Sequence, residues 1–197
     1  MKKTTWLAAL CGLLLSLGAM PVQAGNNAND PVGTWLVEVS FPALPPGAPP
    51  ETPEPPPPFM EFLTFHHNGT LAETNGSLHA NPVPLAPLNL TASDGFGSWE
   101  RIGGGKIRFS FLKMVFCGPG FEHSTDEALA GLGCLFPGQH LGYLSVRAEA
   151  TLRGDTYSGG QSSIELLLST DLSSPAIPRV SFGSANSAGK RIPVQAP

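Results

Sequence analysis

Hydrophobic residues recur at every second position in several short stretches of the chain, and that period of two predicts half-buried strands. Over residues 34–41, Trp35, Val37, Val39 and Phe41 share one face, with Thr34, Glu38 and Ser40 opposite and Leu36 the one exception. Residues 143–152 alternate most cleanly: Leu144, Val146, Ala148, Ala150 and Leu152 point one way, Tyr143, Ser145, Arg147, Glu149 and Thr151 the other. Residues 59–66 and 70–74 flank Asn68-Gly69, a dipeptide that readily supplies the positive φ of a hairpin. A second hairpin is predicted from 97–102 and 106–116 across Gly103-Gly104-Gly105. Ile107, Phe109 and Phe111 face inward there, but the apolar set then moves to Leu112, Met114 and Phe116, which predicts a bulge near Phe111. After a turn at Gly154-Asp155, residues 163–169 run back with Ile164, Leu166 and Leu168 inward, and 180–182 and 191–194 complete the set. The Pro-, Asn- and Ser-rich stretch 75–95 has room for one short strand.

The total is eight to nine short antiparallel strands, an all-β fold. One face of each strand is apolar, so those faces must meet in a common interior, in a closed barrel or, as the alternative, a β-sandwich. A barrel removes exposed edges and is the preferred reading. The Ser-x-x-Glu spacing at Ser124 to Glu127 is that of a capping box and predicts one short helix near 125–130. Residues 42–58 hold ten prolines in 17 positions. Proline fixes φ and gives no N–H to a ladder, so this stretch is an extended loop with a reach of ~50 Å at ~3.1 Å per residue.

The N-terminus changes the picture of where the barrel resides. Lys2 and Lys3 precede an apolar run over 6–17, and Val22-Gln23-Ala24 places small residues at the positions a signal peptidase reads. Residues 1–24 are thus expected to be a bacterial signal peptide, with 25–197 a single barrel domain in the periplasm or secreted. No apolar run reaches the ~20 residues of a membrane span. Loss of Lys2 and Lys3 takes the formal charge from −4 to −6, a balance that does not attract nucleic acid. Cys117 and Cys134 remain, and in an oxidising compartment a lone pair is most simply a disulfide. The repeated six-residue spacing of Cys117 to His123 and Cys134 to His140 leaves a zinc site as one alternative, free thiols being the other.

Gly33-Thr34-Trp35 opens the first strand, and this resembles the Gly-x-Trp signature at the first strand of lipocalins and related calycin barrels. The resemblance implies an eight-stranded up-and-down barrel whose Trp plugs the closed end, a cup for a small apolar ligand, and a long loop over the mouth, where residues 42–58 fall. It also implies an Arg near the C-terminus packed on the Trp; Arg191, Arg179 or neither fills that place. The family's second signature, Thr-Asp-Tyr, has only a scrambled counterpart in Asp155-Thr156-Tyr157, expected in a turn.

Candidate chemistry is sparse. Trp35, Val37, Val39, Phe62, Phe109, Phe111, Leu144 and Val146 are expected to line a pocket or fill a core. Glu61 shares a parity with Leu63 and Phe65; facing inward, it would have a raised pKa suited to acid–base work. Glu73, Glu100 and Glu149 also fall in strands. His66 and His67 are adjacent and so point to opposite faces, which argues against a shared metal ion. Ser98 lacks a nucleophile elbow. Arg153-Gly154-Asp155, the tripeptide read by integrin-type receptors, occupies a turn that needs Gly and Asp for its backbone. No motif asks for a cofactor or metal. The expected function is binding of a small apolar ligand; the alternatives are an envelope interaction protein using the proline-rich loop and a calycin-like isomerase or cyclase.

Overall fold

The computed structural model describes residues 29–47, 49, 55–75, 90–118 and 131–193. The leader at 1–24, His79, His123, the helix near 125–130 and part of the proline-rich loop lie outside these residues. Eleven strands form one antiparallel sheet among the described residues. They are β1 (Gly33–Ser40), β2 (Phe59–Phe65), β3 (Thr70–Thr74), β4 (Leu90–Ala92), β5 (Gly95–Gly103) and β6 (Lys106–Cys117). β7 (His140–Arg153), β8 (Thr156–Gly159), β9 (Ser163–Leu167), β10 (Arg179–Ser181) and β11 (Asn186–Arg191) follow.

The register shows why eleven strands make an eight-stranded barrel. β4 and β5 both pair with β6, through Leu90↔Cys117 and Phe96↔Leu112, with one residue of slippage at Ser93-Asp94. β8 and β9 both pair with β7, through Ala150↔Gly159 and Arg147↔Ser163, with one extra residue in the 160–162 link. β10 and β11 lie along β9 and β8 in a common register, Arg179↔Leu167 and Ser187↔Gly159. Three pairs of strands are therefore three interrupted runs. Each of the eight runs pairs with the next, and β11 returns to β1 through Trp35↔Arg191. The pairing of β6 with β7 closes the ring, which makes the fold an up-and-down barrel and not a sandwich.

Four sequence expectations are corrected. β6 has no change of parity at Phe111: Ile107, Phe109, Phe111, Lys113, Val115 and Cys117 are all buried, and Met114 is exposed. The apolar run Leu112, Met114, Phe116 is on the outer face, and the residue that broke the pattern, Lys113, is inside. Phe62 likewise points outward, 43 % exposed, because Glu61, Leu63 and Phe65 take the inner face of β2. Tyr157 is in β8, not in a turn, and is fully buried. The last strand lies at β11, on Asn-Ser-Ala-Gly-Lys-Arg, earlier than 191–194 and without apolar alternation to mark it.

One end of the barrel is sealed. Trp35 is fully buried, donates its indole N–H to the Pro31 carbonyl at 2.8 Å, and meets Tyr157 at 6.2 Å between ring centroids. The Arg191 guanidinium lies 4.4 Å above the Trp35 ring and donates to the carbonyls of Asp30 and Val32. It thereby holds the chain segment before β1 across the barrel floor. Gly33 has φ of +125°, and a Cβ there would stand 3.0 Å from the Arg191 guanidinium. A side chain at this position is strained by the backbone and crowds the guanidinium. Gly33, Trp35 and Arg191 are therefore one packing unit.

Candidate functional site

The opposite half of the barrel is not filled. A cavity of about 50 Å³ lies between the walls contributed by Val39, Phe41, Phe59, Phe109, Phe111, Leu144, Val146 and Ile164. That is room for about three waters, or for the head of a ligand whose body extends toward the mouth. Its polar lining includes Glu61, Glu73, Asn75 and Lys113, four side chains that the barrel buries.

Strand parity puts them there. Glu61 follows Leu63 and Phe65 on the inner face of β2, and Glu73 follows Leu71 on β3. Lys113 continues the inward series of β6. β3 and β6 are separated by β5, so Glu73 and Lys113 would ordinarily be held apart by an inward side chain between them. The intervening residue is Gly95, the register partner of Glu73. A Cβ on Gly95 would stand 2.8 Å from the Glu73 carboxylate and 2.7 Å from the Phe111 ring. Glycine leaves a window through which the Lys113 ammonium and the Glu73 carboxylate form a buried ion pair. Asn75 Nδ2 donates to the other Glu73 oxygen at 3.1 Å.

The cluster has two carboxyls and one ammonium. Glu61, beside Glu73, has its pKa pushed up to about 8, first by burial and then by the negative charge of Glu73, with Lys113 pulling partly the other way. It is a carboxylic acid at neutral pH. Burial raises the Glu73 pKa as well, opposed by Lys113 and Asn75, and burial lowers that of Lys113, opposed by Glu73 and Glu61. On the cavity wall, burial drives the Tyr157 phenol above its ordinary range; its hydroxyl lies 3.2 Å from Ser187 Oγ.

Of the residues singled out from sequence, Val39, Phe109, Phe111, Leu144, Val146 and Glu61 line this cavity. Trp35 and Val37 are buried in the core nearer the sealed end, and Phe62 is outside. Glu100 and Glu149 are on the outer face, bracketing Arg108. Glu73 was visible only as a strand residue, and Lys113, Asn75 and Tyr157 were not singled out as inward groups at all. The available signal for Lys113 was its odd-numbered position after Ile107, Phe109 and Phe111. Cys117 and Cys134 form a disulfide near the mouth, so they are not zinc ligands. His66 and His67 are exposed after β2, and no cluster of metal-binding side chains occurs among the described residues. Among those residues no helix is long and apolar enough to cross a membrane.

Fold and site together define a closed eight-stranded antiparallel barrel with a charged belt around a small cavity. Comparison with protein-family models finds no match, and neither does comparison with curated proteins or with solved structures.

Proposed function

We propose that the barrel is a binding protein for a small, mainly apolar molecule that carries one polar group. The observation behind this reading is the cavity itself: aromatic and aliphatic walls with a buried Glu61–Glu73–Lys113 cluster set among them. Ligand sites share that composition, an apolar lining with a few fixed polar groups for orientation. A lipocalin-like relationship is consistent with Arg191 standing over Trp35 at the sealed end and with the up-and-down order of the strands. Placement in the periplasm or outside the cell is supported by the Cys117–Cys134 disulfide, a bond that persists in oxidising compartments.

The test is uptake of apolar fluorescent probes by the purified protein, with native mass spectrometry for any molecule that co-purifies. Binding at one site is expected, with Phe111→Trp reducing it at least about tenfold by filling the cavity. Absence of both probe binding and a co-purified molecule, or probe binding indifferent to Phe111→Trp, would overturn the reading.

A further inference from the structure

We propose that the cavity selects a primary amine with a slender apolar body, whose ammonium settles between the carboxyls of Glu61 and Glu73 and expels the Glu61 proton to solvent. The inference rests on the binding reading and adds the chemistry of the ligand's head.

The argument is one of charge balance in a dry place. Glu61 on β2 is faced by Glu73 from β3, Lys113 from β6 and Tyr157 from β8, while β1 presents Val37. Asp94, between β4 and β5, acts on Glu73 and Lys113 from the outside. The one ammonium among the described residues of the cavity is engaged with Glu73, whose second oxygen is taken by Asn75. Glu61 is left without a cation of its own, its hydrogen bond going to the Glu73 carboxylate that an incoming ammonium would take over, although it is 92 % buried and borders the cavity. Unpaired charge in such a place is costly, so the empty site keeps a proton on Glu61.

The three possible ligand heads then differ. A carboxylate would add a third carboxyl to a site with one ammonium. A hydroxyl or carbonyl would leave the charges as they are. An ammonium brings the site to two cations and two carboxylates: the Glu61 O–H bond breaks, its electron pair stays on the carboxylate, and the proton leaves. Charge-assisted hydrogen bonds of this kind are roughly twice as strong as neutral ones. The Phe41, Phe59, Phe109 and Phe111 rings line the cavity and offer apolar surface for the tail of such a ligand. The volume of about 50 Å³ takes the head of such a molecule, with its apolar tail directed toward the mouth.

The experiment is titration calorimetry of the whole protein with n-butylamine, 1-butanol and butyrate at pH 7, repeated in two buffers of different ionisation heat. Butylamine is expected to bind at least about tenfold more tightly than butanol, with close to one proton released. Its Kd should fall about tenfold per pH unit between pH 6 and pH 7, while butanol binding stays flat over that range. Glu61→Gln should lose both the preference and the proton release yet keep butanol binding; the wild-type pH series carries the same information without any variant. Equal affinity for amine and alcohol, tighter binding of butyrate, or amine binding without proton release would overturn the inference and leave the binding reading standing. If none of the three binds and apolar probes also fail, the binding reading falls with it.

Discussion

The two halves of this barrel handle buried polarity in opposite ways. At the sealed end the polar groups have partners of matching type: the Trp35 indole N–H meets a carbonyl, and Arg191 meets two carbonyls and an aromatic face. In the half that holds the cavity, three ionisable side chains are brought together whose charges do not sum to zero if all are ionised. Buried polar groups are normally satisfied, and the exceptions collect where a protein acts. The same strands supply both halves, so the contrast is a matter of which side chain each inward position carries. One half is finished by folding. The other is completed by a proton.

Substitutions that treat the halves alike should reveal how differently they are built. The largest effect is expected for Lys113→Met, which leaves Glu73 buried beside Glu61 without a cation. Removing one partner of a buried ion pair costs ~3–5 kcal/mol, measurable as a lower urea midpoint at neutral pH. A loss below ~1 kcal/mol would mean that water already reaches the pair. Gly33→Ala strikes the sealed end through backbone strain and the Arg191 contact, and should cost ~1–3 kcal/mol with little change in probe binding. If it abolished binding instead, the two halves would be coupled.

The effect that is smallest at acid pH, and has the most particular shape, belongs to Glu61→Gln. The Glu61 pKa in the folded protein is raised from 4.5 to about 8, so its contribution to stability is fully present below pH 4.5 and is lost as pH rises toward 8. The wild type should therefore lose stability between pH 5 and pH 8 relative to the variant. At pH 5 the two should agree within ~1 kcal/mol, and above pH 7 Glu61→Gln should be the more stable in urea denaturation. Parallel curves across that range would show that Glu61 is ionised in the fold.

Much of the architecture was legible because alternation is a direct imprint of a sheet with one wet face. β1 and β7 could be read residue by residue, and inward Glu61 followed from its parity with Leu63 and Phe65. The failures share a cause: apolarity was taken as a proxy for burial. Lys113 is inside and Leu112, Met114 and Phe116 are in the outer series, so a polarity rule placed a bulge where the strand is regular. Phe62 failed for the same reason, its neighbour Glu61 holding the inner face. β11 has no alternation to detect and is held by its neighbours β1 and β8. The Glu73–Lys113 pair could not be foreseen from either strand alone, because it depends on Gly95, on a third strand, lacking a side chain.

Because the first and last runs of the meander are hydrogen-bonded partners, with Trp35 opposite Arg191 and the Ile192 amide bound to the Thr34 carbonyl, both ends of the described chain emerge side by side beneath the floor. A tag, fusion partner or solid support joined at residue 29 or residue 193 would sit beneath the floor, with the opening turned away from it. The same adjacency makes the barrel a natural subject for circular permutation, with the old ends joined by a short linker and new ones cut at an exposed hairpin tip such as Gly103-Gly104.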